Sequence, residues 1–191
     1  MNIALEKYQD EPSIMQVSGY MFPVPDFLGK NEAMFLPFIS SWGWATWKKS
    51  WQYFDAKAIG WEMLERDLPL RSEFNLDDSY DYFTMLKQQM NGRIDSWAIR
   101  WYWSIFQRKG LTLFPPVSYV NNIGFDGSGS HGWISGKIFL TGNKIYAQSS
   151  CLKFPREIRQ DFISYQLVKK VIGRKNRFPF SILIKIKNLF S

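Results

Sequence analysis

The chain has 191 residues, 46% of them hydrophobic, which suffices for one core of ordinary size and gives no reason to expect two independent domains. Its formal net charge of +7 is unevenly placed: residues 153–191 hold ten basic and two acidic residues, a surplus of +8, while residues 1–152 hold 14 basic and 15 acidic, a balance of −1. A near-neutral body with a basic end argues against a nucleic-acid-binding domain and for an anionic surface reached by that end, and the single Cys151 excludes an internal disulfide.

In chain order, residues 1–10 carry Glu6, Lys7 and Asp10 and have no long apolar core, so they are expected to be neither signal peptide nor anchor. Ile3, Ala4 and Tyr8 at helical spacing predict the end of an amphipathic helix. Residues 13–18 read as a strand, and Pro23 and Pro25 keep the next segment extended. Residues 40–47 lead into a helix capped by Ser40 or Ser41, and residues 61–66 form a short helix ended by Pro69. Asp77-Asp78-Ser79 caps a helix running to Met90, closed by Asn91-Gly92. The next helix begins at Asp95 and stops before Gly110. Residues 111–114 and 117–120 are strand candidates around Pro115-Pro116. A hairpin around Thr141-Gly142-Asn143 and a helix over 156–171 complete the body. Cys151 is expected to be a buried or half-buried thiol.

Two stretches carry chemistry. Ile94-Asp95-Ser96-Trp97 puts a carboxylate at the start of an aromatic helix, where it serves either as a helix cap or as a general base. Asn121 to Gly132 contains Gly124, Gly127, Ser128, Gly129, Ser130 and His131; such a loop either covers an anion with its backbone N–H groups or is an ordinary surface loop. His131 is the sole histidine, so a multi-histidine metal site is excluded. Trp97, Trp101 and Ile105 share a helical face and are expected in the core. In Trp42-Gly43-Trp44 a glycine separates two indoles, which either pack inside or offer flat faces to sugar C–H groups. Asp77-Asp78-Ser79-Tyr80-Asp81 reads as a cap with first-turn carboxylates, and Glu65-Arg66-Asp67 follows a helix; neither makes a metal motif. Beyond Val171, basic residues alternate with aliphatic and aromatic ones in runs too short to span a bilayer.

The order aspartate-led helix, short apolar run, glycine-rich loop resembles the acceptor-side half of inverting GT-A glycosyltransferases. The likeness is to bacterial family 2 enzymes of surface-polysaccharide synthesis and, more distantly, to N-acetylglucosaminyltransferase I, and it covers most of residues 13–132. In the latter a Trp-Asp-Asp-Trp sequence carries the catalytic base on its first Asp, which falls on Asp95; Ile94 and Ser96 depart from it. The family's Pro-Glu-Val-Ser-Arg-Thr segment is replaced by Pro115-Pro116-Val117-Ser118-Tyr119-Val120, without the Glu and the Arg, whereas Ser130-His131-Gly132 keeps its Ser-His-Gly.

The resemblance implies an α/β, partial GT-A-like nucleotide-sugar transferase fold over residues 1–152, the C-terminal half of a longer enzyme, with a basic amphipathic helical extension over residues 153–191. It further implies transfer from a nucleotide-sugar donor to a polysaccharide or lipid-linked glycan acceptor, with inversion and with Asp95 as base. Gly124, Gly127, Ser128, Gly129, Ser130 and His131 would face the donor phosphates, and Trp42, Gly43 and Trp44 the acceptor. No metal ligand is expected in this chain, since Mn²⁺ or Mg²⁺ would be held by the upstream half. The expected location is cytoplasmic and peripheral to the inner membrane, through the tail. The alternative is a non-catalytic carbohydrate-binding or scaffolding protein derived from a truncated transferase.

Overall fold

Strands β1 (Ile14–Ser18) and β4 (Leu111–Phe114) run parallel at the centre of a four-stranded open mixed sheet. β2 (Met34–Leu36) pairs antiparallel with β4 and β3 (Trp44–Ala45) antiparallel with β1, giving the order β2-β4-β1-β3. The structure is a computed structural model, and it describes residues 1–121 and 151–176. Within them the fold is of mixed α/β type. Parallel strands need a long crossover, and residues 19–110 supply it with β2, β3 and five helices: α2 (Lys48–Trp51), α3 (Met63–Arg66), α4 (Leu68–Phe74), α5 (Tyr82–Met90) and α6 (Trp97–Phe106). Helix α1 (Asn2–Lys7) precedes the sheet, and α7 (Phe162–Asn176) follows it in sequence.

All five β1 residues are buried, as expected of a central strand covered on both faces. On one face Ile14 and Val17 pack with Ala4, Tyr8, Phe35 and Leu113. On the other, Met15 meets Trp101 and Ile105 of α6. The largest cluster lies beyond: Phe74 stacks on Tyr102 with centroids 4.7 Å apart, and Trp103, Leu86, Phe38 and Phe114 close around them. Tyr165, Val168 and Ile172 of α7 enter that same cluster, and Lys169 forms a hydrogen-bonded ion pair with Asp77. Lys153 is tied to the sheet side through Ala33 N–H to its carbonyl (2.9 Å) and its own N–H to Asn31 (2.7 Å).

Several boundaries differ from those read in the sequence, each for a local reason. Residues 40–47 contribute β3, because Val17 and Ser18 recruit Ala45 and Trp44 into the ladder; the short helix starts only after Trp47. Pro69 opens α4 and does not merely end α3: its missing N–H is harmless in a first turn, and Asp67 accepts from Leu70 N–H there. Asp77 and Asp78 sit at φ 50° and 60° in a left-handed turn, so the α5 cap falls to Asp81, which accepts from Thr84 N–H. Ser96 caps α6, not Asp95. Pro25 starts a short 3₁₀ turn in the segment expected to be extended. Residues 117–120 form no strand, and Cys151 is exposed. The hairpin expected around residues 141–143 lies outside the described residues.

Candidate functional site

Asp95 projects from the start of α6 because the residue after it is held. Ser96 N–H donates to Gln89 Oε1 of α5, and Ser96 Oγ accepts from Ile99 N–H at 3.5 Å. With the capping role taken by Ser96, the Asp95 side chain is left 96% exposed, and its one ion pair among the described residues is a long one, 3.7 Å to an Arg100 terminal nitrogen. Arg100 is itself half-buried, 19% exposed, and its Nε has no hydrogen-bond partner among the described residues. A lone carboxylate beside a guanidinium does not fit a divalent cation, which needs several oxygen ligands. Among the described residues no three His, Cys, Asp or Glu side chains gather elsewhere either.

Two residues after Asp95 comes Trp97, which stacks on Trp44 with centroids 5.0 Å apart and 29° between planes. Trp51 completes a triangle, 5.8 Å from Trp44 and 6.2 Å from Trp97, and is backed by Phe54 in a nearly parallel stack at 4.7 Å. Trp51 and Trp97 are each 38% exposed. Three other indoles bond their N–H groups: buried Trp101 to Gln16 Oε1 at 2.8 Å, buried Trp103 to Ile59 O at 3.2 Å, and half-buried Trp47 to Leu5 O at 2.9 Å. The N–H groups of Trp44, Trp51 and Trp97 make no hydrogen bond among the described residues. The result is a partly exposed aromatic ledge, one ring of which lies two residues after Asp95 in the chain.

The ledge is positioned from behind. Gln16, fully buried in β1, accepts from Trp101 and donates to Ser40 O at 2.7 Å, locking α6 and the segment before β3 to the central strand. Gly43 has φ +52°, its carbonyl accepts from Gly19 N–H, and an added Cβ would lie 2.4 Å from Val120 Cγ1. Only glycine fits there. Tyr119 N–H donates to Gly19 O at 2.8 Å, so residues 119–120, which lead into the glycine-rich stretch, lie against the Trp42-Gly43-Trp44 segment. A small cavity of about 160 Å³ opens there at the carboxyl ends of β1 and β4, lined by Ser18, Gly19, Pro115, Tyr119 and Val120. Burial pushes the Tyr119 phenol up, with a smaller push from Cys151.

Of the residues singled out in the sequence, Trp44 is brought against Trp97, two residues after Asp95. Trp42 makes an edge contact with Tyr20 at 4.6 Å. Gly124, Gly127, Ser128, Gly129, Ser130 and His131 lie outside the described residues. Trp97 was expected in the core and is on the ledge; Trp51 and Arg100 were missed, since nothing in their spacing separates them from core and solvent positions. No protein-family model, curated protein or solved structure matches the chain.

Proposed function

We propose that this chain presents the acceptor side of an inverting, GT-A-like glycosyltransferase, with Asp95 as general base and the Trp44–Trp97 pair as the seat for an acceptor sugar. The observation that carries this reading is an exposed carboxylate two residues before an indole stack whose N–H groups make no hydrogen bond among the described residues. Indole faces suit the C–H face of a pyranose, and the N–H groups suit its hydroxyls. In the step proposed, the acceptor hydroxyl oxygen bonds to the donor's anomeric carbon from the face opposite the nucleotide. The anomeric C–O bond breaks, the nucleoside diphosphate leaves with the electron pair, and Asp95 takes the hydroxyl proton. The nucleotide-sugar donor and its Mn²⁺ or Mg²⁺ are assigned to residues outside this sequence, with residues 124–131 over the phosphates.

The acceptor class proposed is a polysaccharide or lipid-linked glycan, and the site of action the cytoplasmic face of a membrane, with the basic tail as one attachment. None of the helices among the described residues is long and apolar enough to cross a bilayer. A non-catalytic carbohydrate-binding role uses the same ledge and is favoured by one feature, the Arg100 partner that Asp95 already has. Asp95→Asn decides between the two. In a preparation that includes the donor-binding part, transfer should fall by about 10²–10⁴-fold with donor affinity intact. Retention of most of the rate would remove Asp95 as the base, and absence of transfer by the wild-type preparation would leave carbohydrate binding alone.

A further inference from the structure

An open groove of about 920 Å³ lies between residues 30–35 and residues 153–164, and Asp95 is not part of its lining. One rim carries Phe162 and Ile163, the first residues of α7, which are 67% and 75% exposed although they are among the most apolar side chains of the molecule. Their exposure is not a packing accident of the helix. The inner face of α7 is already satisfied by Tyr165, Val168 and Ile172 in the core, so Phe162, Ile163, Gln166 and Lys170 are left on the outward side. Asp161 fixes the helix start, accepting from Ser164 N–H at 2.9 Å and from its hydroxyl at 2.8 Å.

The charge around this rim has one sign in excess. Lys30, Lys153, Arg156 and Arg159 line the groove with it. Three acidic residues share the lining, Glu157 paired with Arg159 at 2.9 Å, Asp161 engaged as the cap, and Glu32, so four cations face three carboxylates. From residue 162 to residue 191 the sequence contains seven basic residues and no acidic one. Two protruding apolar side chains on a groove that four cations also line match an anionic bilayer surface: the ring and aliphatic chain enter the headgroup boundary while guanidinium and ammonium groups meet lipid phosphates.

We infer that the groove rim formed by Phe162, Ile163, Arg156 and Arg159 is an attachment surface for anionic membranes. The inference rests on the reading that the protein is peripheral to a membrane, and it places part of the attachment on the packed body of the chain. Two weak signals in register are what stable peripheral binding requires.

The test is co-sedimentation of the full chain with vesicles of phosphatidylcholine alone or with added phosphatidylglycerol. Phe162→Ser/Ile163→Ser should lower partitioning onto acidic vesicles about tenfold, and Arg156→Glu/Arg159→Glu by about tenfold or more, lessened by salt. Both variants alter exposed side chains, so their thermal midpoints should match wild type. Wild-type partitioning equal on neutral and acidic vesicles would overturn the inference. So would unchanged partitioning of both variants while Lys185→Glu/Lys187→Glu loses it, an outcome that keeps a peripheral protein attached by its tail alone. Absence of any binding by the full chain removes both, and neither result touches the glycan reading of the Asp95 ledge.

Discussion

Helix α6 carries three tryptophans, and they divide into two kinds. Trp101 and Trp103 are fully buried with both indole N–H groups bonded inside the protein; Trp97, one turn earlier, is 38% exposed, stacked on Trp44, and has no such bond among the described residues. The same side chain thus serves the core at one end of the helix and an outward-facing ledge at the other. What separates them is polar satisfaction: among the described residues the fold supplies an acceptor for the indoles of Trp101 and Trp103, and none for that of Trp97. Core positions should be costly to stability and silent in recognition, and ledge positions the reverse.

The sharpest break between the two regions is expected at Trp103→Ala. It removes a buried ring from the Phe74–Tyr102–Phe106 cluster and should cost about 3–5 kcal/mol in denaturant unfolding. Alkaline pH attacks the same region. Burial holds the Tyr102 and Tyr165 phenols well above their ordinary range, Tyr165 with added pushes from Asp77 and Glu73. The native state therefore keeps protons that the unfolded chain releases above about pH 10, and stability is intact below that pH and falls above it. Between pH 9 and pH 11 the two phenols should remove roughly 3 kcal/mol, read by urea titration.

A smaller effect tests the join between the regions. Gln16→Leu leaves the Trp101 N–H and the Ser40 carbonyl without their buried partner and should cost about 1–3 kcal/mol. Because that bond holds α6 behind the ledge, glycan affinity should weaken as well. Asp77→Asn leaves the buried Lys169 ammonium with a neutral partner; since Asp77 itself is half-exposed, the loss should be about 1 kcal/mol, in thermal or urea unfolding. Trp97→Ala should be smallest of all in stability, below about 1 kcal/mol, because its side chain is partly in water in the folded state.

The parts of this architecture that were legible in the sequence are those written in periodicity. The strand at residues 14–18, the strand at 111–114 and the aromatic helix of α6 follow from apolar runs and helical spacing. What was not legible depended on partners distant in sequence. Trp44 and Ala45 become a strand because β1 pairs with them, a pairing no local pattern announces. Pro69 could end one helix or begin another, and Asp67 decides it. Among four neighbouring carboxylates and hydroxyls, the cap of α5 is Asp81 because the left-handed turn at Asp77 and Asp78 takes those two out of the helix. At the site, Asp95 could be named from its motif, but that it is freed from capping by Ser96 required the Gln89 contact from α5. Trp51 joins the ledge through a fold-back of α2 onto α6 that residue spacing does not encode.

The most direct measurement is titration of the full chain with fragments of bacterial surface glycans, followed by indole fluorescence and saturation-transfer NMR, in wild type and in Trp97→Ala. The account expects saturable binding with sugar ring protons in contact with indole, lost at least tenfold in Trp97→Ala while the unfolding midpoint barely moves. Binding that survives Trp97→Ala undiminished, or its absence across neutral and acidic glycans at millimolar concentration, would contradict the assignment of the ledge as a sugar site.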